Sequence, residues 1–531
     1  MKYIFVTGGV LSGLGKGITA ASFGTILKAR GLKVYMQKFD QYLNVDAGML
    51  NPGEHGEVFI TEDGAQTDLD LGHYERFIDI NLSSASSVMT GNIYSAILRG
   101  EREGKYQGKT VQVIPHVTDE VKSRLKNAGS FAGADVLITE IGGTVGDYEG
   151  MHFLEAIRQM ATDVGSNNVF YIHVGFLPYL GVTEELKTKP IQNSIRDLQA
   201  IGIKPDLVIC RSDKPVAKSL LSKISLFSGV GEKGVIALET VDSVYKVPLV
   251  LENSGCADVL LSKLGLKNKK PNLKDWQNFV STIDSCNKPC VKIGIVGDYI
   301  TMKDAYLSVT ESIKIAAWHN GLEAEIAWID PQSLEDKKKI SQTLFDLSGI
   351  VVPGSFEGGA YSGKINAIEY ARKNNIPFLG LCFGMQAAVV EFARNVCGLR
   401  YADNALVNKN AKDKVVDFVP GRSEAENKSG TLRLGAYPCN LSPASRVAKL
   451  YKKTKISERH RHSCEINPHY YDTLKENGLF LAGFSPDKRL VEFIEIKEHK
   501  FFIATIAHPE FKSRPNKPHP LFNGFIRAAS T

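Results

Sequence analysis

Short apolar runs alternate with helix-periodic stretches through the first half of this chain. "YIFVTGG" (3–9) reads as a buried strand, "KGITAASFGTILKARG" (16–31) as a helix that stops at Gly31, and "KVYMQKF" as the next strand. Five later runs are also strand-like: "TVQVIPH", "DVLITEI", "NVFYIHVGF", "DLVICRS" and "GVIALET". Their near-continuous Val, Ile and Leu content predicts a parallel sheet buried on both faces, and the helical stretches between them make βαβ units. Around 266–290 the pattern breaks into a basic, proline-containing stretch that reads as a linker with one helix. A second α/β series follows in "VKIGIVGDY", "EAEIAWID", "GIVVPGS" and "PFLGLC". Beyond about 430 the chain turns β-rich, with "TLRLGAYPC", "LFLAGF", "LVEFIEI" and "FFIATIAH". The expectation is an α/β protein of two domains, 1–266 and 290–531, joined by a linker at 267–289. Each domain is expected to be a mostly parallel sheet flanked by helices.

Composition changes this picture little. A chain of 531 residues is too long for one core. Its 43% apolar and 23% charged content is ordinary for a globular protein. Eight scattered cysteines show neither zinc spacing nor a dense disulfide pattern, which points to reduced thiols in a cytoplasmic protein. "MKYIFVTGG" is a strand running into glycines rather than a signal peptide, and no apolar run is long enough to span a bilayer. The net charge of +6 suits a binder of anionic small molecules as well as an ordinary solvated surface. Neither nucleic acid nor a membrane is expected as a partner.

"VTGGVLSGLGKGIT" (6–19) joins a strand to a helix through five glycines. Such a loop lets backbone N–H groups approach phosphate oxygens, with Lys16 adding a point charge at the helix start. The residue after the lysine is Gly17, so the hydroxyl that usually helps hold Mg²⁺ is missing. Asp70 in "TDLDLGHYERF" and Glu140 in "LITEIGGTVGD", both read as strand-end carboxylates, are the substitutes. "KTKPIQ" (187–192) and "GDYEG" (146–150) are weaker signals, each equally readable as a solvated loop.

"FLGLCFGMQ" (378–386) places Cys382 between an apolar strand and a helical run, the setting of a nucleophile elbow. A cysteine nucleophile needs a base, and the base needs an orienting group. "TIAHPEF" (505–511) supplies His508 and Glu510, two apart and on one side of an extended segment. The glycine-rich turn "VVPGSFEGG" (351–359) is the natural oxyanion donor. An inert core cysteine is the bland alternative.

These motifs together resemble the CTP synthase family along nearly the whole chain. "YIFVTGGVLSGLGKGI", "HGEVFITEDGAQTDLDLGHYERF", "EIGGTVGDYEG" and "KTKPIQ" are similar to its amidoligase half, a P-loop-like synthetase domain. "GLCFGMQ", "ERHRH" and "HPEF" are similar to its class I glutamine amidotransferase half. The resemblance implies that ATP phosphorylates O4 of UTP, that ammonia displaces the phosphate to give CTP, and that glutamine hydrolysis supplies the ammonia through a tunnel. It assigns ATP to Gly13, Leu14, Gly15, Lys16, Gly17, Ile18, Lys38, Asp70 and Val241, and Mg²⁺ to Asp70 and Glu140. UTP or CTP falls to Ser12, Asp147, Tyr148, Glu149, Lys187, Thr188, Lys189, Gln192 and Lys223. Catalysis of glutamine hydrolysis falls to Cys382, His508 and Glu510, and glutamine binding to Gly354, Ser355, Phe383 and Gln386. Mg²⁺ with ATP is the implied cofactor, without an organic prosthetic group. CTP inhibition, GTP activation and a homotetramer complete the expectation.

The amidotransferase half departs from the family's pattern. Its PGGFG turn reads Pro353-Gly354-Ser355-Phe356-Glu357 here, and the following lid lacks Gly-Tyr-Arg. Ser463 stands where an arginine would hold the glutamine α-carboxylate. Leu406 falls where a glutamate would hold the α-amino group, with Asp403 as a local substitute. The departures point to an enzyme that uses free ammonia well and glutamine poorly. One alternative is an ordinary glutamine-dependent member of the family, fed with ammonia by glutamine hydrolysis at Cys382, whose clasp uses other residues; another is a polymerising nucleotide-binding scaffold with reduced catalysis.

Overall fold

The computed structural model of the chain describes residues 1–285, 287–355, 359–418 and 433–531. Cys286, Phe356, Glu357 and the rest of the lid through 358 therefore lie outside the described residues. The chain forms two compact units, Met1–Ala47 with Asp70–Val280, and Gly48–Leu69 with Ser281–Thr531.

In the first unit the core strands are β1 (Lys2–Gly8), β2 (Val34–Asp40), β3 (Ser87–Met89), β4 (Val136–Ile141), β5 (Val169–Phe176), β6 (Leu207–Ser212) and β7 (Val235–Glu239). They pair in the order β7-β6-β5-β1-β4-β2-β3, all parallel. Almost every residue of β1, β2 and β4 is buried, as a sheet covered on both faces requires. Helix α1 (Lys16–Lys28) follows β1 through a turn in which Gly13 (φ 75°) and Gly15 (φ 83°) take left-handed backbone that L side chains resist.

The second unit is built on a nine-stranded sheet among the described residues. Its strands are β8 (Cys290–Val296), β9 (Glu323–Ile329), β10 (Gly349–Val352), β11 (Phe378–Leu381), β12 (Arg433–Leu441), β13 (Lys455–His462), β14 (Phe480–Phe484), β15 (Val491–Glu495) and β16 (Phe502–Thr505). The order is β9-β8-β10-β11-β16-β15-β14-β12-β13. Pairing is parallel from β9 to β16 and antiparallel from β16 to the edge strand β13. The β-rich character after 430 is this antiparallel half.

Three expectations shift. "TVQVIPH" forms no strand; Val113–Val117 is a π-helical turn, and Pro115 has no N–H to give to a ladder. The linker helix is Lys274–Asp284, and Trp276 anchors its first half on the first unit by donating to the Tyr245 carbonyl (2.8 Å). Residues 48–69, assigned by sequence to the first domain, pack with the second unit. A short hairpin there pairs Phe59–Ile60 with Gln66–Thr67.

Candidate functional site

The first site sits where β1 meets α1. Lys16 is buried, its Nζ donating to the Gly143 carbonyl (2.8 Å). Burial lowers its pKa, against the opposing pull of Glu140. At the C-terminal end of β2, the Lys38 ammonium bonds both Asp70 and Glu140, the latter at 3.1 Å. A Cβ on Gly17 would sit 2.9 Å from Asp70 Cγ and 3.2 Å from Glu140 Oε2. The two carboxylates thus occupy the space that a serine or threonine after the lysine would fill. Asp70 opens helix α2 (Asp70–Ile78) rather than ending a strand, which corrects its expected setting. Glu140 lies near the end of β4, and Tyr74 donates to it.

Burial first, and then the neighbouring Asp70, raise the pKa of Glu140 against the pull of Lys38 and Lys16. Asp40, also buried against Lys38, is raised for the same first reason. Such a cluster accepts a hard cation readily, because a cation relieves the repulsion between buried carboxylates. Among the described residues no group of three or more His, Cys, Asp or Glu side chains converges as a ready-made metal cage. Two carboxylates completed by phosphate oxygens and water match the way Mg²⁺ is held beside nucleotides.

The residues expected from the sequence to bind nucleotide also fall in the first unit. Asp147 accepts from the Thr144 N–H (2.8 Å) and from Gln41 (3.1 Å), whereas Tyr148 projects outward at 94% exposure and Glu149 is exposed. Lys187 pairs with Glu185, whose pKa is lowered by Lys187 first and by Lys223 to a smaller extent. Thr188 and Gln192 are buried and hydrogen-bonded to each other (3.1 Å), while Lys189 opens the helix Lys189–Ala200 and stays exposed. Ser12 is exposed on the loop, Leu14 buried beneath it, and Ile18 and Val241 half-buried. Sequence reasoning missed His173 on β5, whose ring bridges Thr7 (3.0 Å) and Ser194 (2.8 Å). Burial, helped by Lys16, pushes its pKa down to about 3.

The second site is the Cys382 elbow. Cys382 has φ 51° and ψ −105°, a strained turn between β11 and the helix Phe383–Asn395. Its N–H donates to the Thr505 carbonyl (2.8 Å) and its Sγ lies 3.6 Å from the Arg461 carbonyl. The glycine two residues on is obligatory, since a Cβ on Gly384 would run into the Val352 carbonyl. Glu510 accepts from His508 Nδ1 (2.7 Å). The pair forms across a 3₁₀ turn, Pro509–Lys512, and not along the expected extended segment.

Burial alone would lower the pKa of His508. Cys382, then Glu510, outweigh it and raise it to about 10. The same interaction includes a side-chain hydrogen bond between His508 and Cys382, so the ring stands within reach of the thiol. Gly354, expected from the sequence to serve the oxyanion, stands beside the pair: a Cβ there would lie 2.8 Å from His508 Cε1 and 3.6 Å from Cys382 Cβ. A cavity of about 50 Å³ beside Cys382 is lined in part by Pro52, Glu57, Val58, Tyr299, Ser355 and His508.

The chain has relatives over its full length. The pattern of the CTP synthase N-terminus matches residues 2–266, and that of class I glutamine amidotransferases matches 301–528. A CTP synthase from Methanocaldococcus jannaschii is 53% identical, over 100% of this chain and 98% of its own. The chain belongs to the CTP synthase family. A Carboxydothermus hydrogenoformans CTP synthase is 52% identical, over 99% of this chain and 98% of its own. A solved glutaminase domain of Trypanosoma brucei CTPS with bound acivicin is 33% identical, with a TM-score of 0.43, and covers 45% of this chain and 94% of its own.

The residues expected from the sequence to depart from the family's pattern, and their neighbours, have these surroundings. The Ser355 hydroxyl donates to Asp298, which also takes Lys364 Nζ at 2.6 Å. Lys364 is 1% exposed and lies 5.0 Å from the ring centroid of Phe383. Burial lowers its pKa, and Asp298 opposes the shift. Asp403 pairs with Arg394 (3.0 Å), and Gln386 Oε1 accepts from Asn404 (2.7 Å). Leu406 is 37% exposed, and the Ser463 hydroxyl lies 3.9 Å from the Cys464 sulfur. Among the described residues no helix is long and apolar enough to cross a membrane.

Proposed function

We propose that this chain aminates UTP to CTP with ATP, taking its nitrogen mainly as free ammonia. The observation that carries the reading is the pair Asp70 and Glu140 packed into the space left by Gly17, with Lys38 between them. The backbone amides of residues 13–17 and Lys16 bind and orient the ATP phosphates. Asp70 and Glu140 would hold Mg²⁺, which when bound neutralises charge on the transferring phosphoryl group. Lys38 and Val241 complete the ATP side. Ser12, Asp147, Tyr148, Glu149, Lys187, Thr188, Lys189, Gln192 and Lys223 bind UTP, or CTP as an inhibitor.

The γ-phosphoryl group passes from ATP to O4 of the uracil, leaving ADP. Ammonia then adds at C4, a proton is lost, and phosphate departs. Positioning and charge neutralisation dominate such a transfer.

In the second unit the Cys382 thiolate attacks a carboxamide carbon, His508 protonates the amide nitrogen as the C–N bond breaks and ammonia leaves, and water then hydrolyses the thioester to the acid and frees the thiol, with Glu510 orienting the ring throughout. Gly354 and Phe383 N–H groups suit the oxyanion. Support for weak glutamine capture is the commitment of Asp403 to Arg394 and of Ser355 to Asp298, with Leu406 and Ser463 bringing no charge. Each lost charge-assisted contact costs about 1.5–3 kcal/mol, or about one to two decades of binding. CTP inhibition, GTP activation and a homotetramer belong to the same proposal.

The test is incubation with UTP, ATP–Mg²⁺ and ammonium chloride, with CTP, ADP and phosphate counted. Equal amounts of the three are expected, and Lys16→Ala should abolish them. A scaffold without catalysis would yield no CTP from the wild-type chain and would overturn the reading.

A further inference from the structure

Residues Gly48–Leu69 leave the first unit after Ala47 and re-enter it at Asp70, and between these points they pack on the second unit. Their docking is extensive and polar. The Ala436 N–H of β12 donates to the Glu62 carbonyl (2.9 Å). A Cβ on Gly435 would lie 2.6 Å from the Gly64 nitrogen, so the two backbones touch there. The Arg459 guanidinium donates to Glu62 (3.2 Å) and to the Ile60 carbonyl (2.8 Å). The Arg461 guanidinium donates to Gln66 Oε1 (2.8 Å) and to the Gly48 carbonyl (2.8 Å). Glu57 accepts from the Ser308 N–H (3.0 Å), and Phe59 meets the Phe511 ring (4.9 Å, 61°).

The same residues touch the catalytic groups with their other ends. β13 is an edge strand, so one row of its backbone groups is unused by the sheet. Two carbonyls of that strand serve the site. The Arg459 carbonyl accepts from the His508 N–H (2.7 Å), and the Arg461 carbonyl faces Cys382 Sγ (3.6 Å). Phe511 stacks on the His508 ring (5.2 Å, 14°). Side chains two apart on a strand share a face, so both guanidinium groups reach the strap while both carbonyls reach the triad.

We propose that Arg459 and Arg461 are positioning residues for the Cys382–His508 pair, held in place by the strap 48–69. The strap is thus a working part of the amidotransferase site although it belongs to the other half of the sequence. Removing a guanidinium frees its stretch of the edge strand from the strap. Either change loosens the edge strand, so the Arg459 carbonyl that holds the His508 N–H loses its fixed place, the ring drifts from Cys382, and the thiolate–imidazolium pair weakens. The proposal rests on Cys382 being the reactive thiol of the reading above, but not on glutamine being a good substrate.

Iodoacetamide tests it without glutamine, because it alkylates the thiolate directly. The full chain is labelled across a range of pH, and labelling at Cys382 is followed by peptide mass spectrometry. Besides Cys382, the ionisable groups that line the cavity are His508, Glu510, Glu57, Arg461, Tyr299 and Tyr306, and His462 and Cys464 lie within electrostatic reach of the pair, so each is left in place except the one under test. Arg461→Met should label at least about fivefold more slowly at neutral pH, with its rate profile displaced to higher pH than that of the wild type. Gln66→Ala, cut from the strap side, should move the rate and profile in the same direction. Arg461→Lys, which keeps a donor, should fall between. If Arg461→Met loses its cooperative melt, Gln66→Ala decides alone. Wild-type rate and wild-type pH profile in folded Arg461→Met and Gln66→Ala would overturn the proposal. Labelling of wild-type Cys382 no faster than an ordinary thiol would instead sink the reading of the triad itself.

Discussion

Replacing Gly17 by serine restores the residue that a conventional phosphate loop carries after its lysine, and should nonetheless disable synthesis. The new Cβ would stand 2.9 Å from Asp70 Cγ and 3.2 Å from Glu140 Oε2, with Asp70 Oδ1 closer still. Carbon atoms settle at about 3.5–4.0 Å, so the Asp70 carboxylate must retreat by about 1 Å. Asp70 is at the first turn of α2 and tied to Lys38, so that lysine moves with it. A displacement of that size at reacting groups costs about 100-fold in rate, or about 2.7 kcal/mol of barrier. Overpacking should cost about 1–3 kcal/mol of stability, which lowers Tm without removing the cooperative transition. The assay is CTP formation from saturating UTP and ATP–Mg²⁺ with ammonium chloride, which bypasses the amidotransferase site. Gly17→Ala should behave like Gly17→Ser, because the conflict belongs to the Cβ. A folded Gly17→Ser that works within about threefold of wild type would refute the packing argument, since it predicts a loss of about 100-fold.

Other consequences follow from the second unit. Cys382→Ser should abolish any glutamine hydrolysis and leave ammonium-driven CTP formation intact, as read by assaying both on one preparation. Combining Ser463→Arg with Leu406→Glu should improve kcat/KM for glutamine by about one to two decades per restored contact, and no gain would mean that capture fails elsewhere. Glu465 is raised to about 8 by burial first and by Glu492, against the pull of Arg433. An acid raised in the folded state binds its proton there over a pH range where the unfolded chain has lost it. Stability is therefore lost as pH rises from about 4.5 to about 8, by about 1.4 kcal/mol per pH unit for one proton. Glu465→Gln should flatten the fall in Tm between pH 5 and pH 8, and an unchanged slope would contradict the assignment.

What was legible in the sequence was local chemistry. The glycines before Lys16 foretold a strand–turn–helix because glycine takes the φ of Gly13 and Gly15 without the strain a side chain would add. Gly17 in place of a hydroxyl pointed to Asp70 and Glu140, and the structure puts both beside it. Cys382 between an apolar strand and a helix announced its elbow. What stayed hidden depends on distant partners. Nothing near 48–69 says that Arg459 and Arg461, about 400 positions on, will hold it, because hydrogen-bond complementarity has no local periodicity. Lys364 and Asp298 look like surface charges until they are found buried together. "TVQVIPH" carries an apolar pattern that fits a strand, and Pro115 outweighed it. His508 and Glu510 were paired correctly in sequence but through the wrong backbone geometry.

The central claim is tested most directly by measuring CTP from UTP and ATP–Mg²⁺ with glutamine or ammonium chloride as the nitrogen source, each with and without GTP. Rapid synthesis from ammonium and little or none from glutamine is the predicted result. Equal kcat/KM for the two would contradict it and would mean that Ser355, Leu406 and Ser463 are compensated by other groups around Cys382.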